Sequence, residues 1–338
     1  MNPTYQKKTG RFIGIIALLI VLIITMFFIS LSTGVINIAP LDVVKTIIGQ
    51  GTQRQGLVLF DFRLPGIILA LLIGSGLAVS GVILQGVTQN DLADPGILGI
   101  NTGAGLAVVL FIFFIQDSIN STVSIFIMPL FALVGALFAA FLVYTIAWKN
   151  GVNPIRLVLV GIGVNAGFSA ALIIFQLKMN PQDFRQATVW LSGDIWSADW
   201  SFVLALLPWI LILVPYALHK ANVLNVLNLG DDVAAGLGSK VEGDRRLLLI
   251  IAVALAGASV AVGGAIAFLG LVVPHIARRI IGPLHQYIIP ISTLIGALLL
   301  MVSDTIGKNL LTPTEIPAGV VVAVLSTPYF VYLLVKTK

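Results

Sequence analysis

The chain has 338 residues, of which 58% are hydrophobic and 10% are charged, and its mean hydropathy is +1.07. This composition excludes a soluble globular domain and indicates a polytopic membrane protein. The net charge of +5 comes from basic residues at the ends of apolar segments, which is typical of membrane orientation rather than nucleic-acid binding, and the absence of cysteine excludes disulfides and thiolate metal sites.

Nine apolar runs are long enough to cross a bilayer. They lie at about 12–33, 64–88, 95–115, 122–148, 154–177, 201–218, 246–267, 287–306 and 316–335. A tenth run at 271–282 is short and contains Pro274, so its length alone would also allow a re-entrant half-helix. Ten crossings from a cytoplasmic N-terminus place thirteen basic residues inside and six outside, whereas nine would put Lys336 and Lys338 outside. We therefore predict an all-α protein of the cytoplasmic membrane with about ten transmembrane helices, both termini in the cytoplasm, and a single domain over residues 1–338.

The segment 61–83 recurs without gaps 183 residues later. Its matches include the pairs Arg63/Arg246 and Gly74/Gly257. These matches are informative because an arginine beside a membrane segment and a glycine inside one each need a local reason. Five predicted spans separate the two copies, so the copies enter the membrane from opposite faces. The sequence thus predicts an inverted repeat, which is the usual geometric basis of alternating access in transporters.

Small and polar residues share the predicted span at 154–177. Its glycines favour close helix packing, while Gly161, Asn165 and Ser169 are also candidates for lining a translocation pathway. Carboxylates lie at segment ends and the three histidines are scattered, so we expect neither a catalytic nor a metal site. This scarcity weighs against a proton- or ion-coupled carrier and against an intramembrane enzyme, the two alternatives to an ATP-driven transporter. No P-loop string occurs in the sequence, so any ATP would be bound by a partner.

The longest predicted cytoplasmic segment runs from residue 222 to residue 246. Leu224, Leu227, Val233 and Leu237 can line one side of two short helices that break at Gly230. The segment is either an ordinary connector or a docking element that presents an apolar stripe to a cytoplasmic partner.

Two basic residues are predicted at the outer face. Arg63 stands before Pro65, and Lys308 lies near the last external loop. Each is either a headgroup anchor or a contact for acidic residues of a soluble extracellular partner.

Four strings of this sequence resemble the permease family of ATP-binding-cassette (ABC) importers for iron-siderophores, haem and cobalamin. They are residues 62–65 (FRLP), 91–99 (DLADPGILG), 264–279 (GAIAFLGLVVPHIARR) and 315–319 (EIPAG), in family order over nearly the whole chain. The resemblance implies a type II ABC importer permease that imports an iron(III)-siderophore and holds no cofactor of its own. It also implies three kinds of partner: a second permease, identical or paralogous; two ABC ATPase subunits that bind ATP and magnesium; and an extracellular siderophore-binding lipoprotein.

The same resemblance assigns roles to residues. It implies that Arg63 and Lys308 contact the binding protein and that residues 222–240 form cytoplasmic coupling helices. The implied coupling positions are Leu224, Leu227, Gly230, Asp231, Ala234, Leu237 and Gly238. Two positions depart from the family pattern, because Gly66 stands where many members have arginine and Asp91 replaces a common proline. Among members, the chain is similar to the Gram-positive ferric-hydroxamate type, which normally pairs with a sister permease.

Overall fold

The apolar runs fold as helices, because a helix satisfies each backbone N–H and C=O group within its own segment. The computed structural model describes residues 3–336 apart from 35, 119–120, 150, 152, 196–197 and 313. The helices of the first half are α1 (Pro3–Ser32), α2 (Pro40–Ile47), α3 (Gln53–Gly56), α4 (Leu64–Thr88), α5 (Ile100–Phe114), α6 (Ser121–Ala147) and α7 (Pro154–Gln176). Those of the second half are α8 (Pro181–Leu191), α9 (Trp200–His219), α10 (Ala221–Leu227), α11 (Asp231–Gly236), α12 (Val241–Gly263), α13 (Leu269–Ile281), α14 (His285–Leu310) and α15 (Ala318–Lys336).

The predicted spans all correspond to helices. Seven helical segments among the described residues are long and apolar enough to cross a membrane, and they correspond to α1, α4, α6, α7, α9, α12 and α14. Helices α5 and α15 provide two shorter apolar helices. The tenth run forms α13, whose 13 residues extend over only about 20 Å. The prediction of an all-α protein with about ten membrane segments is confirmed, and the tenth segment is the short one that its length indicated.

Helix α4 lies at the centre of the bundle and packs against α12, the second copy of the repeat. The Ser80 hydroxyl donates a hydrogen bond of 2.7 Å to the carbonyl oxygen of Ala252. Further along, a Cβ atom at Gly76 would lie 2.4 Å from Oγ of Ser259. From the first contact to the second, the residue number falls from 80 to 76 on α4 and rises from 252 to 259 on α12. The two helices are therefore antiparallel. This is the arrangement that an inverted repeat requires.

Helix α14 is another long neighbour of α4, and their backbones touch through glycines. A Cβ atom at Gly74 would lie 2.3 Å from the carbonyl oxygen of Gly296, and a Cβ atom at Gly296 would lie 2.3 Å from that of Gly74. Small residues allow this approach, on which helix association in a membrane depends because lipid supplies little hydrophobic drive between helices.

The two copies of the repeat differ at their ends. The first copy is helical through Ile83, whereas α12 ends at Gly263 and residues 264–268 form a non-helical connection to α13. Gly264 has a φ of +70°, and a Cβ atom there would lie 2.4 Å from the carbonyl oxygen of Trp190. A glycine is therefore required both by the backbone conformation and by the close approach of the neighbouring chain.

The two ends of α4 define two ends of the molecule. We call the end beside Arg63 the Arg63 end. At the opposite end the Gln89 side chain donates a hydrogen bond of 2.9 Å to the carbonyl oxygen of Leu227. Residues 222–240, which contain most of α10 and all of α11, are called the linker, and this opposite end is called the linker end.

Candidate functional site

The linker presents a different apolar surface from the one the sequence indicates. Leu224 and Leu227 are 0% and 1% exposed and pack inside the chain, so their prediction as outward-facing members of the stripe is wrong. Leu237 is 64% exposed and Val233 50%, and both face away from the bundle together with Leu229. The accessible apolar patch therefore consists of Leu229, Val233 and Leu237. Leu229 was missed because it lies beside the turn, outside the helical periodicity.

The remaining predicted coupling positions shape the linker. Gly230 has a φ of +98° and Gly238 a φ of +84°, so both turns adopt a backbone conformation that favours glycine. Ala234 is buried, and it too is not a contact surface. Asp231 begins α11, and its carboxylate accepts a hydrogen bond of 2.5 Å from the Arg245 guanidinium.

Arg245 fixes α11 to the first turns of α12. Its side chain is 3% exposed, and Glu242 provides a second carboxylate at 3.8 Å. Removing one partner of a shielded ion pair lowers the stability of the fold far more than removing both partners. The reason is that the remaining charge stays unpaired in a site of low dielectric. The sequence shows only a pair of arginines here, since the burial of Arg245 depends on how α11 folds back on α12.

At the Arg63 end, Arg63 and Lys308 line one cavity of about 310 Å³. The structure thus brings together the two cations that the sequence singles out 245 positions apart. The Arg63 guanidinium donates hydrogen bonds to the carbonyl oxygens of Leu31, at 2.5 Å, and Ile36. Nζ of Lys308 lies 2.7 Å from the carboxylate of Asp304, whose side chain is 6% exposed. Each cation is therefore already engaged within its own chain as well as facing the cavity.

The two departures from the family pattern have local explanations. A Cβ atom at Gly66 would lie 3.2 Å from Nζ of Lys308, so any side chain at position 66 would crowd the Lys308 ammonium group. The carboxylate of Asp91 accepts a hydrogen bond from Arg278, which also donates one of 3.3 Å to the Gln85 side chain. A proline at position 91 would lose the ion pair that joins the turn after α4 to α13.

The predicted pathway residues on α7 make packing contacts. The Asn165 amide donates a hydrogen bond of 2.8 Å to the carbonyl oxygen of Gly96 and accepts one of 2.5 Å from the Thr102 hydroxyl. A Cβ atom at Gly161 would lie 2.1 Å from the carbonyl oxygen of Ile97, while Ser169 is half-buried. Asn165 and Gly161 thus hold α7 against the turn that precedes α5. A role of these residues in a pathway stays a prediction.

The turn before α5 contains a carboxylate with a perturbed affinity for protons. Asp94 accepts a hydrogen bond of 2.8 Å from the backbone N–H of Gly96. Desolvation by the surrounding chain raises the pKa of Asp94 to about 6, and the Gly96 hydrogen bond opposes this shift only in part. Among the residues that the structure describes, no group of three or more His, Asp or Glu side chains is placed to hold a metal ion.

Comparison with known proteins matches nearly the whole chain. The model of the FecCD transport family matches residues 20–336. The iron(3+)-hydroxamate import system permease protein FhuG of Bacillus subtilis is 57% identical over 98% of this chain and 100% of that protein. The iron-uptake system permease protein FeuC of the same organism is 43% identical over 95% and 97%. Among solved structures, a protein described as a metal-chelate type ABC transporter in an inward-facing conformation superposes with a TM-score of 0.84 at 28% identity, covering 96% of this chain and 99% of that one.

Proposed function

Because the chain belongs to the FecCD transport family, we propose that it is the transmembrane permease subunit of an ABC importer for an iron(III)-siderophore of the hydroxamate type. The observation that carries this proposal is the 57% identity with FhuG, which extends over 100% of that protein. The chain is a transport component rather than an enzyme, and it is a multi-pass membrane protein.

Energy would come from two partner ATPases. The sequence contains no P-loop, so ATP and magnesium would bind to the partners and this chain would hold no cofactor. The exposed side chains of Leu229, Val233 and Leu237 support docking of an ATPase at the linker end, because exposed apolar side chains on and beside a short helix are typical of protein contacts.

A second permease, identical or paralogous, would complete the pathway. On α7, apart from the adjoining residues and the backbone of the helix itself, no described atom lies within 4 Å of a Cβ atom placed at Gly163 or Gly167. Small residues with open space beside them are typical of membrane helices that pack against another helix, which supports α7 as a contact with the second subunit. The antiparallel pair α4 and α12 supports alternating access, because related halves of opposite orientation can exchange roles between the two faces.

The proposed orientation places the linker end and both termini in the cytoplasm and the Arg63 end outside. Single cysteines at the exposed positions Lys240 and Thr312 test it, because the wild-type chain has no cysteine. Thr312→Cys should react with an impermeant maleimide in intact cells, and Lys240→Cys only after permeabilisation. The reverse pattern would contradict the orientation.

The extracellular binding lipoprotein would dock at the cavity that Arg63 and Lys308 line. Arg63→Gln with Lys308→Gln should weaken its binding several-fold at low salt, because two cations facing acidic residues would be lost. Lys45→Gln is the matched control, since Lys45 on α2 is exposed and lies outside the residues that line the cavity. Equal affinity of the wild type and the double variant would remove this contact from the proposal.

Transport itself is tested with the assembled complex. The chain would be purified with its native partners, identified by mass spectrometry, and reconstituted into liposomes. We expect ATP-dependent uptake of ⁵⁵Fe-labelled ferrichrome, a ferric hydroxamate, to exceed uptake of ferric citrate or haemin at least tenfold. A preference for ferric citrate or haemin would refute the hydroxamate assignment alone. Uptake driven by an ion gradient without ATP would refute the importer.

A further inference from the structure

The side chain of Asn225 on α10 is bound entirely to the first turn of α14. Its Oδ1 accepts a hydrogen bond of 2.9 Å from the backbone N–H of His285, and Nδ1 of the His285 ring lies 2.8 Å from the same oxygen. Its Nδ2 donates a hydrogen bond of 2.8 Å to the side chain of Gln286. Three directional contacts thus join one linker residue to two consecutive residues of a membrane helix, 60 positions along the chain.

The His285 side of this cluster is fixed and shielded. His285 is 0% exposed. The residue before it, Leu284, is the N-cap of α14 and its side chain forms no capping hydrogen bond. The backbone N–H groups of a first helical turn lack intrahelical acceptors. Oδ1 of Asn225, on another helix, is the acceptor for one of these groups, the N–H of His285. Because Oδ1 of Asn225 is an acceptor, the ring donates from Nδ1 and its Nε2 carries the lone pair. Nε2 lies 3.0 Å from where a Cβ atom at Gly86 would stand, so α4 closes the other side of the ring.

The linker is joined to α4 as well. Gln89, the C-terminal cap of α4, donates to the carbonyl oxygen of Leu227, and Leu224 packs so closely on Gly86 that a Cβ atom there would lie 3.0 Å from its Cδ2. Helices α4 and α14 in turn touch through their facing glycines. A displacement of α10 must therefore move these two helices with it or break the contacts.

We propose that Asn225 is a positioning residue that transmits movement of the linker to α14 and, through the facing glycines, to α4. This inference rests on the proposed function and adds the route by which ATPase movement reaches the membrane helices. The packing of Leu224 and Leu227 is apolar and non-directional, so it holds α10 near the bundle but resists sliding weakly. The Asn225 hydrogen bonds define both position and direction.

The test measures iron transported per ATP hydrolysed, in the reconstituted complex supplied with ⁵⁵Fe-ferrichrome. In Asn225→Ala we expect the ATPases to co-purify and basal ATP hydrolysis to stay within twofold, while iron transported per ATP falls at least tenfold. Asn225→Asp keeps the acceptor for both His285 donors, and the Gln286 amide can turn to donate to the second carboxylate oxygen, so transport per ATP should stay within about threefold. Asn222→Ala is the matched control, because Asn222 lies on the same helix and is exposed.

A gentler variant guards against loss of folding. Gln286→Ala removes only the Nδ2 contact and should lower transport per ATP by about threefold even if Asn225→Ala does not fold. Wild-type transport per ATP in both variants, or in the one that folds, would overturn the inference. A parallel loss of ATPase co-purification and transport would also overturn it, since Asn225 would then serve docking. If the wild-type complex shows no ATP-driven uptake, the proposed function fails instead.

Discussion

Gly74 and Gly257 occupy matching positions in the two copies of the repeat, yet the structure predicts opposite responses to the same substitution. In Gly74→Ala the new Cβ atom would lie 2.3 Å from the carbonyl oxygen of Gly296 and 3.0 Å from Cα of Ala297. In Gly257→Ala it would lie 3.4 Å from Cδ1 of Leu133, which is ordinary van der Waals contact. The first change thus meets backbone, and the second meets the end of a flexible side chain.

The magnitude follows from the displacement. To restore a normal contact, α4 and α14 must separate locally by about 1 Å, which forfeits a quarter to a half of the dispersion energy of each atom pair so separated. Overpacking of this kind costs roughly 1–3 kcal/mol, and the gain in helix propensity from glycine to alanine returns at most about 1 kcal/mol. We expect Gly74→Ala to lose about 2 kcal/mol, and Gly257→Ala to be neutral or to gain up to about 1 kcal/mol.

The assay is unfolding of the purified chain in detergent, monitored by circular dichroism and by tryptophan fluorescence. Gly296→Ala is a second arm, because its Cβ atom would meet the carbonyl oxygen of Gly74 at 2.3 Å and should cost as much as Gly74→Ala. Equal unfolding midpoints of Gly74→Ala and Gly257→Ala would refute the predicted difference, because the two sites would then be equally open.

Leu237→Glu should abolish co-purification of the ATPases without changing thermal stability. Leu227→Glu should instead give protein that is misfolded by size-exclusion chromatography, because it buries a charge. Normal folding of Leu227→Glu would contradict the burial of Leu227. Because folding raises the pKa of Asp94 to about 6, the folded state binds this proton more tightly, so stability should fall as the pH rises from about 4 to 6. Asp94→Asn, which keeps the cap, should remove that slope and stabilise the chain at neutral pH by at most about 3 kcal/mol; an unchanged slope in unfolding experiments would exclude Asp94 as its source. Lys308→Met should destabilise by about 3 kcal/mol because it leaves the Asp304 carboxylate unpaired, and adding Asp304→Asn should restore most of the loss in the same unfolding assay.

Local pattern was sufficient for the elements of the fold. Each of the ten predicted segments forms a helix, because long apolar runs in lipid have few other ways to satisfy their backbone groups. The structure places Arg63 and Lys308 in one cavity, and the contact with a binding protein that the resemblance implies for them stays a prediction. The exposed side of the linker could not be read from its periodicity, because α10 folds back on α4 and α14 and buries Leu224 and Leu227. Two short helices offer too few turns to show which face the rest of the chain will cover.

The sequence by itself determined the membrane class, the ten apolar helical segments, the duplicated unit and the family, since all of these depend on residues close in the chain or on matched strings. Only the tertiary structure decided which residues meet across the bundle. Asn225 and His285 are 60 positions apart, and Asp91 and Arg278 are 187 apart. Gly74 and Gly257 look equivalent in sequence, but only Gly74 faces another backbone. Such contacts depend on helix rotation and depth, which are set by packing among all the helices at once.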